Sequence, residues 1–303
     1  MKIGFLSNQL DNRGTGDALY KYAHYNETIL GNESVIFTNF GASGEDPDAV
    51  RRFVERFEVF NTGKIPRNYL DALYHIKSGY NEGFDPHIPY LVHSVFDNDP
   101  HGTVYATVSP WMGTRFGLEY VPHIVELADT NENFRKVMEI PEDAIVFGRH
   151  GGADTFDIPF VKDVISLYVQ KHPNVYFLFL NTDKFVDHER VIHMPASVDP
   201  IYKRLFINTC DAMIHARSRG ETFGLSVGEF AIAGKPVVTY SESHEKAHLQ
   251  ELGNFALTYS GPTALELRLD AVMRGPMISW GYGQYTPENV MKKFDEVFLS
   301  CVK

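Results

Sequence analysis

The sequence predicts an α/β protein built as two doubly wound domains facing each other across a cleft. Short apolar runs alternate with helical patterns along the whole chain, the signature of strand–helix–strand units and parallel sheets. The chain has 303 residues and is 44% hydrophobic, enough for two cores, each of about 150 residues. A third observation is local. In Arg219-Gly-Glu-Thr-Phe-Gly-Leu-Ser-Val-Gly-Glu-Phe-Ala-Ile-Ala-Gly-Lys-Pro-Val-Val238 two acids, Glu221 and Glu229, bracket a glycine turn that opens a short helix between two strands.

The first element, Met1 to Ser7, reads as a strand. Its apolar run is too short for a signal peptide, and polar residues follow at once. Further strands are expected near 34–39, 57–60, 89–95 and 104–108, with helices near 16–30, 47–56 and 66–78. Tyr120 to Thr130 reads as an extended crossing, because Pro122 disfavours helix before it. The second half offers strands near 144–148, 175–180, 191–194, 212–215, 236–240 and 256–259. Its helices fall near 158–171, 200–208, 225–233, 244–252, 262–274 and 287–300. These patterns divide the chain into a first domain, 1–120, a second, 121–285, and a terminal helix, 286–303, that returns to the first domain across the cleft.

Composition narrows the function. A formal net charge of −11 argues against a nucleic-acid partner, which would call for a basic stripe. No segment reaches the apolar length needed to span a bilayer. Only Cys210 and Cys301 are present, so a disulfide framework is not expected, and a reducing, cytoplasmic setting is the simplest inference.

The chemistry gathers at the Glu221–Glu229 run. Free amides at a helix start attract phosphate, and the two carboxylates can accept hydrogen bonds from hydroxyls on either side. A sugar on one side of a diphosphate and a ribose on the other fit that arrangement, which reads as a nucleotide-sugar site.

The second half also resembles the donor-binding domain of retaining glycosyltransferases of the GT-B fold, in particular the family-4 type (glycosyl transferases group 1), in which two Rossmann-like domains face each other. The resemblance rests on the Glu-x7-Glu run, its sequel Ala233-Gly-Lys-Pro-Val-Val238 and the earlier strand Ile145-Val-Phe-Gly-Arg149. Asn133 to Ala144 resembles the family's helix before that strand. The likeness covers roughly residues 120 to 303 and weakens over 1 to 119. There Arg13-Gly-Thr-Gly16 lies where such enzymes carry a glycine loop, which implies that Gly14 and Gly16 approach the donor or acceptor.

By that resemblance Glu221 contacts hydroxyls of the transferred sugar and Glu229 holds the ribose. Thr222, Phe223, Gly224, Leu225 and Ser226 form the turn whose amides at 224–226 bind the diphosphate. Arg149 pairs with the phosphates and stabilises the leaving group. His93, at the end of Pro89-Tyr-Leu-Val-His93, stands where family members carry a histidine near the reacting carbon, with His101 its competitor. The family places a lysine five residues after the arginine; here that position is Asp154, so either the loop turns it away or Arg217, Arg219 or Lys162 substitutes.

The implied activity is sugar transfer, with retention, from a nucleotide-diphosphate sugar to a glycan or other hydroxyl acceptor, with no required cofactor and no metal. A nucleotide-sugar epimerase or a non-catalytic nucleotide- or glycan-binding relative are the alternatives. Gly14 and Gly16 make a poor dinucleotide fingerprint, because Leu19 stands in place of the third glycine. His244-Glu-Lys-Ala-His248 matches a zinc-peptidase pattern, but a strand ends just before it and no third ligand is evident. Asp97-Asn-Asp99 and Asp46-Pro-Asp48 are too short to be diagnostic.

Overall fold

The computed structural model describes residues 1–41, 44–62, 68–275 and 277–303. The chain divides into two compact units, one of Met1–Ile124 with Gln284–Lys303, the other of Val125–Gly283.

The first unit is a six-stranded parallel sheet in the order β3-β2-β1-β4-β5-β6. Its strands are β1 (Lys2–Leu6), β2 (Glu33–Thr38), β3 (Glu58–Asn61), β4 (Ala72–Lys77), β5 (Tyr90–Ser94) and β6 (Val104–Thr107). Helices α1 (Gly14–Thr28) and α2 (Pro47–Arg56) follow β1 and β2, and α3 (Pro110–Phe116) follows β6. The chain's last helix, α9 (Pro287–Phe294), continues into a π-helical turn at Asp295–Leu299. Phe294 and Phe298 close over Tyr74, with ring centroids 5.2 and 5.4 Å away, and Phe294 stacks on Tyr22 of α1 at 5.3 Å. Burying each such ring is worth about 1.5–3 kcal/mol, which fixes the terminal helix to this sheet.

The second unit repeats the plan, in the order β14-β12-β10-β7-β8-β9. Its strands are β7 (Ile145–His150), β8 (Val175–Leu180), β9 (Val191–Met194), β10 (Ala212–His215), β12 (Val237–Tyr240) and β14 (Ala256–Tyr259). Two-residue strands β11 (Gly220–Glu221) and β13 (Glu245–Lys246) pair with each other alone. Helices α4 (Pro159–Lys171), α5 (Pro200–Thr209), α6 (Leu225–Ile232), α7 (Ala247–Leu252) and α8 (Pro262–Met273) complete it. In both sheets the chain builds outward from its first strand to one edge. It then crosses back beside that strand and builds to the other, so each sheet has one switch point.

Two expectations are corrected, and one helix was not foreseen. Ala72–Lys77 is a strand, not part of a helix over 66–78; residues 66 and 67 lie outside the described residues. Flanked by β1 and β5, β4 is buried at all six positions, so burial does not alternate along it, and the apolar–polar alternation of Tyr74 to Lys77 is too short to mark a strand. Asn133 to Ala144 forms turns where a helix was expected. Glu139 takes φ +54°, Pro141 follows, and the Arg135 guanidinium binds the carbonyls of Pro141 and Ala144, both at 3.0 Å. Helix α3 was missed, although Ser109 as cap, Pro110 in the first turn and left-handed Gly117 at the end mark it in the sequence.

Candidate active site

The switch point of the second sheet lies between β7 and β10. In open parallel sheets ligands bind outside the carboxyl ends of the strands at such a point. Here β7 ends in Arg149-His150 and β10 ends in His215.

From His215 the chain enters a turn tied at both sides. The Asp157 amide donates to the Ala216 carbonyl at 3.1 Å. The Ser218 amide and hydroxyl donate to the Asp157 carboxylate at 2.7 and 2.6 Å, and the Ser243 hydroxyl donates to the Arg217 carbonyl at 2.9 Å. This turn delivers Glu221. Its Oε1 lies 3.1 Å from His215 Nε2, and its Oε2 accepts from Arg217 Nη1 at 2.9 Å. His215 is aimed by Thr239, whose hydroxyl is 2.9 Å from Nδ1. Burial pushes the Glu221 carboxyl up, but Arg217 and the hydrogen bond from His215 outweigh it and hold the group at about 2. Glu221 is therefore a fixed carboxylate at neutral pH.

Three residues further, Gly224 takes φ 91° and ψ 61°, a left-handed conformation natural to glycine, and caps α6. Thr222 and Phe223 are buried beneath the turn, and the Phe223 carbonyl accepts from the Tyr282 hydroxyl at 2.6 Å. The first α-helical bond runs from the Gly228 amide to the Gly224 carbonyl. The amides of Leu225, Ser226 and Val227 therefore precede the helix's own acceptors and form its positive end.

Glu229 points from α6 into the protein and is 1% exposed. Its Oε1 pairs with Lys203 Nζ of α5 at 2.8 Å and its Oε2 with His150 Nε2 at 3.0 Å. A solvated helix glutamate is ruled out. A carboxylate so deep needs its countercharge close.

Arg149 is equally enclosed. One terminal nitrogen donates to the Asn181 carbonyl, at 3.1 Å, and to the Thr182 hydroxyl. The other donates to the Gly152 carbonyl, at 2.8 Å, and to the Thr155 hydroxyl. Burial lowers its pKa to about 10, which leaves it charged at neutral pH. Its fork is turned to the loops after β7 and β8.

In the first unit His93 is corrected. It has no exposed surface. Its Nε2 donates to the carbonyls of Val121 and Thr107 at 2.9 and 3.2 Å, and its Nδ1 stands 2.6 Å from the Tyr74 hydroxyl. Burial pushes its pKa down to about 4, so the ring is neutral with both nitrogens occupied. Such a histidine ties β5 to the segment beyond β6 and cannot touch a sugar. Gly14 is exposed at the start of α1, while Gly16 is buried with its Cα against the Asp11 carbonyl, where a side chain would collide. Close packing accounts for Gly16 without a ligand.

The zinc-like pattern does not assemble: β13 runs through Glu245–Lys246, so His244 and His248 do not share a helix. His248 is buried with its Nε2 3.1 Å from the Thr239 hydroxyl. Among the described residues no group of three or more histidines, cysteines or acids is placed to hold a metal. Asp46 of the Asp-Pro-Asp run caps α2 through the amides of Asp48 and Ala49. His150, Lys203, His215, Thr239 and Tyr282 were missed by sequence reasoning. Only His150 and His215, polar residues ending apolar strands, carried a local signal.

The arrangement defines an α/β class in which two switched parallel sheets of one topology occur in one chain. No family model matches the sequence, and no curated protein does. Solved structures do. Anabaena HepE in complex with UDP and glucose superposes with a TM-score of 0.67 at 14% identity, over 98% of this chain and 95% of that one. Sucrose-phosphate synthase from Thermosynechococcus elongatus matches with a TM-score of 0.65 at 12% identity, over 100% and 96%. The UDP-GlcNAc 2-epimerase of Methanocaldococcus jannaschii matches with a TM-score of 0.58 at 10% identity, over 98% and 100%. The fold is that of the GT-B glycosyltransferases. Among the described residues no helix is long and apolar enough to cross a membrane.

Proposed function

We propose that the protein is a glycosyltransferase that moves a sugar from a nucleoside-diphosphate sugar to a hydroxyl of a glycan or glycoconjugate, with retention and without a required metal. The observation that carries the reading is the fixed Glu221 carboxylate beside the Gly224 turn and the α6 amides, at the carboxyl end of a switched sheet. Solved structures of the same fold with UDP and glucose support it.

In this reading the diphosphate lies against the amides of Leu225 to Val227, and Glu221 accepts hydrogen bonds from the sugar. As the anomeric C–O bond breaks, its electron pair goes to the phosphate oxygen. Positive charge grows on the carbon while negative charge grows at the helix end. Oriented amides there favour the developing charge over the ground state. The acceptor hydroxyl attacks from the same face, and its proton passes to the departing phosphate oxygen. Arg149 contributes its charge from behind, through the loops it holds together, and Glu229 serves the ribose by exchanging one of its present partners for a hydroxyl. Positioning supplies most of the acceleration. We place the reaction in the cytosol, with both cysteines as free thiols.

A donor labelled in its sugar tests the reading. Transfer of label to an acceptor hydroxyl is the expected result; acceptor-independent release of a 2-epimer would convert it to the epimerase reading that one similar structure suggests. Tight donor binding with neither product would leave a binding protein.

A further inference from the structure

Asp154 stands where a second cation for the diphosphate is expected, and Arg149 has turned both terminal nitrogens to protein acceptors. The growing charge therefore needs another partner. Of the cations the sequence offers, Lys162 has its amine 5.6 Å from the Phe185 ring centroid. Arg219 is exposed, its carbonyl taken by the Glu245 amide at 2.7 Å. Arg217 differs from both. It lies two residues beyond the end of β10 and spends one nitrogen on Glu221, and its side chain keeps 20% of its surface open. Its charge also acts on Arg149, so two guanidinium groups repel across the site, and the Glu221 carboxylate, paired with Arg217, offsets that repulsion at Arg149.

Resting on the donor-site reading, we propose that Arg217 is the second cation for the diphosphate and bridges it to the transferred sugar through Glu221. The backbone around it is held by Asp157 on one side and Ser243 on the other. One nitrogen is anchored. What remains is a planar fork of donors suited to phosphate oxygens, with little freedom left to lose on binding. The like charge of Arg149 is relieved when an anion of two negative charges arrives. Since the same guanidinium fixes Glu221, sugar recognition and leaving-group stabilisation are coupled through one side chain.

Calorimetry separates this from an indirect effect on Glu221, because a nucleoside diphosphate lacks the transferred sugar that Glu221 would bind. The probe is UDP, with ADP and GDP beside it and the parent nucleosides as controls. The wild type is expected to bind one diphosphate more tightly than its nucleoside. Arg217→Ala should weaken that diphosphate at least tenfold and leave the nucleoside unchanged; Arg217→Lys should fall between. Glu221→Gln should bind the diphosphate as well as the wild type or better. Diphosphate affinity within twofold of wild type in folded Arg217→Ala and Arg217→Lys overturns the proposal. So does an equal loss in Glu221→Gln, which would make Arg217 act only through the carboxylate. If the wild type binds none of the three diphosphates, the donor site itself is wrong, a failure visible before any variant is made.

Discussion

His215 holds Glu221 through its Nε2, 3.1 Å from Oε1, while Thr239 holds the imidazole from the other side at 2.9 Å. Thr239 lies on β12 and His215 on β10, adjacent strands of one sheet, so the carboxylate is referenced to the sheet and not to its own loop. Glu221→Gln keeps the shape and loses the charge that Arg217 balances. We expect at least a tenfold loss of transfer in a protein that still folds but melts lower, because the stabilisation carried by the ionised carboxylate is lost with it, read by turnover of labelled donor beside thermal denaturation. Wild-type turnover would remove Glu221 from the site.

The charge on Glu221 sets a pH dependence with a definite sign. Its folded value, about 2, lies below the ordinary 4.5. The stabilisation from the ionised form is therefore fully present above pH 4.5 and is lost as pH falls through 2. Arg217 is the largest charge lowering it, with His215 and His248 behind. Arg217→Ala should thus move the carboxyl's titration upward, into the range that carbon-detected NMR of labelled glutamate can follow. A titration no higher than in the wild type would show that the ion pair contributes nothing.

Arg149 carries a heavier structural load than a phosphate contact requires. Removing it leaves the Asn181 carbonyl without its donor, at roughly 1–3 kcal/mol where buried, while the Gly152 carbonyl keeps the amide and hydroxyl of Thr155. Arg149→Ala is therefore expected to lower the melting temperature by several degrees as well as transfer at least tenfold. Arg149→Lys should rescue little, because an ammonium cannot serve four acceptors arranged for a fork. Unaltered stability in both variants would mean that the loops after β7 and β8 do not depend on this side chain.

Much of this was legible in the residues, for identifiable reasons. Strands of the second unit were found because each is a short apolar run closed by proline, glycine or a polar pair. The Gly224 turn was found because few residues tolerate its backbone. What stayed hidden was tertiary. Tyr282 lies 59 residues beyond Phe223 and meets it through a hydroxyl, and Lys203 meets Glu229 across 26. His93 misled because a histidine ending a strand looks alike whether it faces solvent or a tyrosine; only the rings of Tyr74, His123 and Phe298 around it decide. Strand β4 misled because it is buried on both faces and its alternation is too short to separate strand from helix.

Tyr282 gives a test of how the turn is held. Its hydroxyl donates to the Phe223 carbonyl at 2.6 Å from a ring that is fully buried. Tyr282→Phe keeps the ring and deletes the bond, which costs roughly 1 kcal/mol and leaves the turn before α6 less firmly fixed. A drop of a few degrees in melting temperature and a severalfold weaker affinity for a nucleoside diphosphate are expected. Weaker affinity is the discriminating part: stability lost with binding intact would detach this bond from the site.

Glu229 decides whether the buried side of the site binds the nucleoside. With Lys203 at 2.8 Å and His150 at 3.0 Å, its carboxylate is neutralised from within, so a ribose must displace one partner. Lys203 is the more replaceable, since its side chain is 18% exposed and its amine can follow solvent outward, whereas His150 is 11% exposed and lies over Phe230 at 5.8 Å. Breaking a fully buried ion pair costs about 3–5 kcal/mol, and the lysine's access to water should reduce that. Glu229→Ala is thus expected to fold, to raise KM for the donor at least tenfold, and to change kcat little. Lys203→Met should do the opposite to affinity if the amine competes with ribose, tightening donor binding. Steady-state kinetics on both variants settle the assignment: a kcat defect at unaltered donor affinity in Glu229→Ala would move that carboxylate out of the nucleoside site.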